Sequence, residues 1–295
     1  MSRLVCFGLG YSARVFATRM LKEGWNVFGT TRSAAKVGRL REDGFETARF
    51  SGDAPSGEVR EALAQATHLL LSIAPGEAGD PALIQHRDDI AAAANLEWIG
   101  YLSTVGVYGD HGGEWVDEEA VLHPKSARSK LRVAAERAWL DFGAGANKPV
   151  QLFRLAGIYG PGRGPLEKIR QGKSRRIVKP GQVFNRIHVD DIANVLEASL
   201  ARPYAGPVYN VSDDEPAPPQ DVIAFAAKML GISPPPEVAF EDAELSLMGR
   251  SFYGENKRVS NARIKQELGV RLDYPTYREG IRAEVAAISG SSPQR

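Results

Sequence analysis

Short runs rich in β-branched and aromatic residues alternate with longer amphipathic stretches over the first 156 residues. This alternation is typical of βαβ units, in which crossover helices join parallel strands. It predicts an α/β fold built on a Rossmann-type, doubly wound parallel sheet. The predicted strands are Leu4–Gly8, Trp25–Thr30, Phe45–Phe50, His68–Ile73, Trp98–Ser103 and Val150–Leu155, and the predicted helices begin near Ser12, Ala34, Ser56, Pro81 and Ser126.

The pattern changes after Leu155, where turn residues become frequent and the predicted elements become short. These elements predict a smaller α/β C-terminal cap. The predicted division places 1–156 and 181–204 in the Rossmann domain, 157–180 and 205–288 in the cap on the substrate side, and 289–295 in a disordered tail. The predicted elements of this half are a helix at 166–172, a strand pair at 176–178 and 183–188, a helix at 190–201 capped by Asp190 or Asp191, a strand at 208–211, and helices at 220–230 and 261–268.

A G-x-G-x-x-A turn directly follows the first predicted strand and opens a helix. In this pattern Gly8 permits the tight turn, Gly10 lets the backbone approach a diphosphate, and Ala13 lets the helix lie close to the sheet. The first helical amides then offer unpaired N–H groups to the phosphates. An ordinary strand–turn–helix is the alternative, but the context favours a dinucleotide site formed by Gly8, Leu9, Gly10, Tyr11, Ser12 and Ala13.

No acidic residue follows the second predicted strand. Enzymes that use NAD usually place Asp or Glu there to bind the ribose 2′-hydroxyl. Here Arg32 stands between the hydroxyls of Thr31 and Ser33, and a guanidinium pairs with a phosphate bidentately. The segment therefore predicts NADP(H) as the preferred cofactor, with NAD(H) as the alternative if Arg32 is only a solvated loop residue.

Four later segments resemble the extended short-chain dehydrogenase/reductases, the group that contains nucleotide-sugar epimerases and dehydratases. The segments are LSTVGVYG at 102–109, LAGIYGPGR at 155–163, IHVDDIA at 187–193 and VYNV at 208–211. The resemblance implies a catalytic role for Thr104, in the motif of the fifth strand. It also implies cofactor contacts from Asp53 near the adenine, from Ala74, Pro75 and Ser103, and from Ala156, Gly157 and Ile158 beside the nicotinamide.

The chain departs from this group at the Tyr-x-x-x-Lys pair, in which Tyr is the general acid/base and Lys holds the nicotinamide ribose. One alignment places Arg128 and Arg132 at these two positions, and another places Ser126 and Lys130 there. Arginine cannot exchange a proton near neutral pH, because its pKa lies above about 12. We therefore expect an atypical member in which Arg132 or Lys130 binds the ribose and the usual proton relay is missing.

Two tyrosines are candidates to replace the missing acid. Tyr108 lies at the end of the fifth predicted strand and Tyr159 lies beside the nicotinamide segment. For each, the alternative is that the ring packs against the cleft wall. His188 precedes a predicted helix and is expected to be a hydrogen-bonded structural residue rather than a base.

The function predicted from these features is that of an NADP(H)-binding oxidoreductase or epimerase/dehydratase-like enzyme with a non-standard acid/base. Its substrate would be small and polar, with nucleotide-sugars as one class suggested by the resemblance. The alternative is a non-catalytic NADP(H)-binding sensor or scaffold, which the loss of the tyrosine favours.

Composition excludes several other classes of protein. The 37 Lys and Arg residues nearly balance the 36 Asp and Glu residues, so no overall field attracts nucleic acid or an anionic membrane. Cys6 is the only cysteine, and the five histidines are scattered, so neither a disulfide framework nor a metal site is expected. Because no apolar run approaches the roughly 20 residues of a membrane span and the first strand begins by Arg3, we expect a cytoplasmic protein. A small molecule is the expected partner. The resemblance also implies a homodimer through the helices near 81–95 and 126–142, and packing of the alanine-rich 91–94 on the sheet is the alternative.

Overall fold

The computed structural model describes residues 1–290, and these residues form the alternating strands and helices that the sequence predicts for the first half. The strands are β1 Arg3–Phe7, β2 Asn26–Thr31, β3 Glu46–Arg49, β4 His68–Leu71, β5 Trp98–Thr104, β6 Trp115–Val116, β7 Val150–Leu155, β8 Gly157–Tyr159, β9 Arg176–Val178, β10 Arg186–His188, β11 Val208–Val211, β12 Glu237–Ala239 and β13 Arg258–Val259. The helices are α1 Tyr11–Lys22, α2 Ala34–Glu42, α3 Gly57–Ala64, α4 Pro81–Ala92, α5 Ala127–Ala146, α6 Pro165–Arg170, α7 Val189–Leu200, α8 Pro219–Met229, α9 Leu247–Phe252, α10 Ala262–Gln266 and α11 Tyr277–Gly290.

Seven parallel strands form the main sheet, in the order β11-β7-β5-β4-β1-β2-β3. The strand order reverses at β1, which pairs with β2 on one side and with β4 on the other. Loops that leave the carboxyl ends of β1 and β4 therefore run to opposite faces and open a crevice between them. The prediction of a doubly wound Rossmann-type sheet with a smaller α/β region is confirmed.

Both faces of this sheet are covered, which explains why the central strands β1 and β4 are almost entirely apolar. Leu4 and Cys6 point into a core shared with α1 and α7, whereas Val5 and Phe7 point into a second core shared with α3, α4 and α5. This alternation follows from the two-residue period of a strand. Burial raises the pKa of the Cys6 thiol, as expected for a structural cysteine.

A smaller core lies in the C-terminal half, where α6, α8 and α11 pack together around Leu166, Val222, Ala226, Tyr277 and Ile281. The short pair β6–β13 joins this half to the first half, and the pairs β8–β10 and β9–β12 lie within it. The prediction that 176–178 pairs with 183–188 is wrong, because β9 pairs with β12 and β10 pairs with β8. Residues between β9 and β10 bond to distant partners instead: the amides of Val183 and Phe184 donate to Asn256 Oδ1 and to the Ala217 carbonyl.

Several element boundaries in the structure differ from those predicted. The cap of α7 is His188, whose Nδ1 accepts from the Asp190 amide at 3.2 Å, and not Asp190 or Asp191. Strand β11 pairs with β7 in the main sheet, so a division into two domains needs its boundary after β11 rather than at 205. Helix α11 has no counterpart in the predictions; it includes residues 289 and 290 of the predicted tail, and 291–295 lie outside the described residues. Across residues 1–290 no helix has the length and apolar character of a membrane span.

Candidate functional site

The glycine-rich turn after β1 is held by the end of β2. Gly8 has a φ of +90°, a conformation that favours glycine. A β-carbon on Gly8 would also lie 2.8 Å from Ile73 Cγ2. The Gly8 amide donates to Thr30 Oγ1 and the Leu9 amide to the Thr30 carbonyl, both at 2.9 Å. The turn is therefore built into the sheet, as the motif predicts.

Helix α1 starts at Tyr11, and no side chain among the described residues caps its first turn. Gly10 is exposed, and a β-carbon placed on it would meet no atom within 4 Å. Ser12 and Ala13 are buried beneath it against the sheet. Bare helical amides behind open space form a cradle that fits a diphosphate.

The end of β2 combines hydroxyl groups with basic side chains. Thr31 Oγ1 accepts from the Ser33 amide at 3.3 Å, and the Ser33 hydroxyl makes no capping bond to α2. Arg32 is exposed, and the Arg49 guanidinium donates to its carbonyl at 3.3 Å. This arrangement leaves hydroxyl and guanidinium groups available to a phosphate on the ribose. At the same edge of the sheet, Asp53 follows β3 and Ala74 and Pro75 follow β4.

Three hydroxyl groups converge where β5 ends and α5 begins. Thr104 Oγ1 accepts from the Gly106 amide at 3.1 Å. Ser126 caps α5, and its hydroxyl donates to Ser129 Oγ at 2.9 Å. A β-carbon on Gly106 would stand 3.4 Å from Thr104 Oγ1 and 3.3 Å from Ser129 Oγ, so both hydroxyls face the same small space.

Ser129 is a site residue that neither alignment selected for the position opposite Thr104. A serine cap at Ser126 is the one signal in the sequence, because a capping residue and the residue three positions later meet at the same helix end. The loop at 109–125 has no sequence pattern that predicts how it brings the start of α5 back to the end of β5. The prediction of which residue faces Thr104 therefore needed the structure.

Arg128 and Arg132, which one alignment places at the positions of the Tyr and the Lys, lie in different surroundings. Arg128 is exposed, and its guanidinium lies 5.4 Å from the ring centre of Phe252 in α9. Arg132 is half-buried and donates to the Tyr101 hydroxyl at 2.8 Å and to the Leu102 carbonyl at 3.0 Å. Arg132 is thus anchored to β5, one helical turn from Ser129, whereas Arg128 extends toward the cap.

Both candidate tyrosines bind other groups. The fully buried Tyr108 hydroxyl donates to Asn210 Oδ1 at 2.7 Å and accepts from Arg154 at 2.9 Å, and burial raises the pKa of Tyr108 to about 12. The Tyr159 hydroxyl donates to the Thr276 carbonyl at 3.4 Å, and burial again raises its pKa. These contacts favour the packing alternative for both rings.

A buried polar network lies beneath β5 and includes Ser103. The Ser103 hydroxyl donates to the Glu136 carboxylate, which also binds Arg154. Its side chain is therefore turned into the interior, and its backbone is the part that remains for a cofactor contact. After β7 the chain continues through Ala156 into β8. There Gly157 is exposed and its amide donates to the Asn185 carbonyl at 3.0 Å, and Ile158 is half-buried.

Solved structures share this architecture over nearly the whole chain. A conserved protein of Silicibacter pomeroyi, described as functionally unknown, is 53% identical, with a TM-score of 0.89 over 97% of this chain and 99% of that one. The dTDP-glucose 4,6-dehydratase of Bacillus anthracis, solved in complex with NAD, is 18% identical, with a TM-score of 0.77 over 99% and 98% of the two chains. No protein-family model matches. The chain has the fold of the extended short-chain dehydrogenase/reductases.

Two curated relatives are less similar in sequence than the S. pomeroyi protein. The Escherichia coli protein YeeZ is 27% identical over 293 residues, which cover 93% of this chain and 97% of YeeZ. The 3-diazoavenalumate denitrifying reductase of a Streptomyces species is 26% identical over 212 residues, 68% of each chain. The chain is therefore similar to one protein whose name gives no activity and to one that is named as a reductase.

The candidate site draws on several elements of the main sheet. The dinucleotide turn, the carboxyl ends of β3 and β4, and Thr104 lie along the crevice edge of one sheet. At the start of α5, Ser129 Oγ and Thr104 Oγ1 both border the space beside Gly106, and Arg132 of α5 donates to the Leu102 carbonyl of β5. Within residues 1–290, no group of three or more His, Cys, Asp or Glu side chains is arranged to hold a metal ion.

Proposed function

We propose that the protein is an NADP(H)-dependent oxidoreductase that acts on a small polar substrate bearing a carbonyl or hydroxyl group. The observation that carries this proposal is Gly10, which is exposed at the bare start of α1 with open space in front of it. The crevice at the β1–β4 switch point is where this fold binds its ligands. The complex of the B. anthracis dehydratase with NAD supports the same site.

The preference for NADP(H) over NAD(H) rests on the end of β2. No carboxylate stands at Thr31, Arg32 or Ser33 to bind a ribose 2′-hydroxyl. Arg32 is exposed, and Arg49 reaches across to its carbonyl, which brings a second guanidinium to the same corner. A 2′-phosphate would pair with such groups through charge-assisted hydrogen bonds.

A bound nicotinamide would supply or accept the hydride, and the protein must orient the substrate and provide a proton path. Thr104 Oγ1 accepts from the Gly106 amide, so its own proton is available to a substrate oxygen. Ser129 Oγ accepts from Ser126, so its proton is available in the same way. Two hydroxyl donors that face one space suit a carbonyl oxygen, which gains charge as hydride arrives.

Ser126 extends this path. It lies at the half-buried start of α5 and bonds both the Ser129 amide, at 3.0 Å, and the Ser129 hydroxyl. We propose that Ser129 gives its hydroxyl proton to the substrate oxygen and takes one from Ser126, and that Ser126 regains its proton from solvent, in place of the missing tyrosine. Arg132, one turn further along α5, is the proposed contact for the nicotinamide ribose.

The test combines cofactor titration with turnover. NADPH and NADH are titrated by calorimetry, and consumption of NADPH is followed with a panel of carbonyl compounds and 4-keto nucleotide-sugars. Thr104→Val and Ser129→Ala should lower the turnover rate at least about tenfold with little change in NADPH affinity. Ser233→Ala, which removes an exposed hydroxyl from a distant loop, is the control. Absence of binding by either nucleotide would refute the proposal.

A non-catalytic NADP(H) sensor or scaffold is the second candidate. The specific observation that favours it is that Tyr108 and Tyr159 both use their hydroxyls in buried contacts away from Thr104. The sensor or scaffold predicts that the wild type binds NADPH but turns over no member of the panel. It also predicts that Ser129→Ala binds NADPH like the wild type. The same experiment therefore separates the two candidates.

A further inference from the structure

A segment far along the chain closes over the dinucleotide turn. The hydroxyl of Tyr11, the residue that follows Gly10, donates to the Pro161 carbonyl at 3.1 Å. A β-carbon on Gly160 would lie 2.8 Å from the same hydroxyl, so the two segments are in direct contact. The turn at 160–163 therefore lies beside the cradle in which a diphosphate would sit.

The backbone of this turn is well defined. Gly160 and Arg163 exchange two backbone hydrogen bonds, each of 2.9 Å. Gly162 and Gly164 have φ values of +73° and +122°, which favour glycine at both positions. The turn consequently holds the Cα of Arg163 at a fixed place above α1.

The guanidinium of Arg163 lies 5.4 Å from the ring centre of Tyr11. Arg163 is exposed, and in the part of the chain that the structure describes no carboxylate forms an ion pair with it. Two carboxylates act on Tyr11 from other elements, those of Glu284 in α11 and Asp190 in α7. Asp190 binds Arg19 at 3.3 Å, so it already has a cationic partner.

We propose that Arg163 binds the diphosphate of the dinucleotide, with the Tyr11 ring as the platform that orients its guanidinium. The inference rests on the proposed function, because it assigns a side chain to the same cofactor. The turn after β1 offers backbone amides, whereas a diphosphate carries two negative charges in a crevice partly shielded from water. A planar guanidinium brought from the opposite wall supplies charge and bidentate geometry together.

The test measures the dissociation constant of NADPH by calorimetry for the full chain and three variants. Arg163→Ala should weaken binding about tenfold to a hundredfold, the range expected for a charge-assisted hydrogen bond of about 1.5–3 kcal/mol. Arg163→Lys keeps the positive charge but loses the bidentate donors of the guanidinium. Its affinity for NADPH should therefore lie between those of the wild type and Arg163→Ala. Arg137→Ala removes an exposed arginine on α5 and should bind like the wild type.

Thermal unfolding of the cofactor-free variants separates a binding role from a structural one. Arg163→Ala should unfold within about 2 °C of the wild type, because an exposed arginine contributes little to stability. Equal NADPH affinities of wild type and Arg163→Ala would overturn the inference while leaving the proposed function intact. If the wild type itself does not bind NADPH, the proposed function fails first. A large loss of stability in Arg163→Ala without a loss of affinity would also overturn the inference.

Discussion

Arg154 binds the Glu136 carboxylate at 2.8 Å in the interior, where their side chains are only 6% and 4% exposed. The pair connects β7 to α5 directly beneath the strand that ends at Thr104. Ser103 donates to Glu136, Arg154 donates to the Tyr108 hydroxyl, and that hydroxyl donates to Asn210, so the charges are buried together with partners. Such a network fixes the relative position of β5, β7 and α5, and hence the position of the proposed site.

Loss of one member of this pair should be costly. Arg154→Met leaves the Glu136 carboxylate buried without its cation, and should lower the free energy of unfolding by about 3–5 kcal/mol. The double variant Arg154→Met/Glu136→Leu removes both charges and should recover a large part of that loss. Urea unfolding of both variants, with the exposed Arg137→Met as control, gives the comparison. A double variant no more stable than the single one would contradict this account.

Glu284 should make the stability depend on pH. It is 9% exposed, its Oε1 has no hydrogen-bond partner among the described residues, and burial raises its pKa from the usual 4.5 to about 7. A carboxyl with a raised pKa stabilises the folded state below pH 4.5, and that contribution is lost as pH rises through 7. The change amounts to about 3 kcal/mol at most.

Glu284→Gln removes this titration, so the variant should gain stability relative to the wild type as pH rises. We expect a difference in the free energy of unfolding near zero at pH 4 and on the order of 2–3 kcal/mol in favour of the variant at pH 8. Urea unfolding at both pH values provides the measurement, with the exposed Glu241→Gln as control. Parallel pH profiles for wild type and Glu284→Gln would show that folding does not raise the pKa of this carboxyl.

Arg32 should determine the choice between the two nicotinamide cofactors. Arg32→Ala is expected to weaken NADPH binding about tenfold to a hundredfold and to leave NADH binding unchanged, because only NADPH carries the 2′-phosphate. Arg39→Ala removes an exposed arginine near the other end of α2 and serves as the matched control. Equal losses for NADPH and NADH would mean that Arg32 does not contact the 2′-phosphate.

The sequence predicts the main sheet well because its strands are buried on both faces. Leu4–Phe7 is entirely apolar for this reason, and each such run is separated from the next by one amphipathic helix. The turn after β1 could also be predicted, since it is a local strand–turn–helix pattern in which Gly8 takes a positive φ. These features depend on neighbours in the sequence, which is why periodicity and motif reveal them.

Other features depend on distant contacts. The buried positions of α11 are Tyr277, Gly280, Ile281 and Glu284, a helical spacing concealed by a glycine and an acid at core positions. Strands β9 and β10 are three residues each, too short for their own pattern to select a partner. Ser129 and Thr104 come to lie on the same space beside Gly106 only through the path of the loop between β5 and α5. For these the decisive information lies in tertiary packing rather than in local pattern.

Gly10 provides the most direct test of the cofactor site. A β-carbon at this position meets no atom of the protein within 4 Å, yet it would stand where a diphosphate must approach the backbone. Gly57→Ala is the matched control, since Gly57 also begins a helix with open space around it. The measurement is calorimetric titration of NADPH into wild type, Gly10→Ala and Gly57→Ala, together with thermal unfolding of each without cofactor. The account predicts that Gly10→Ala binds NADPH at least about tenfold more weakly while unfolding within a few degrees of the wild type, and that Gly57→Ala binds normally. Undiminished NADPH binding by Gly10→Ala would contradict the placement of the diphosphate at the start of α1.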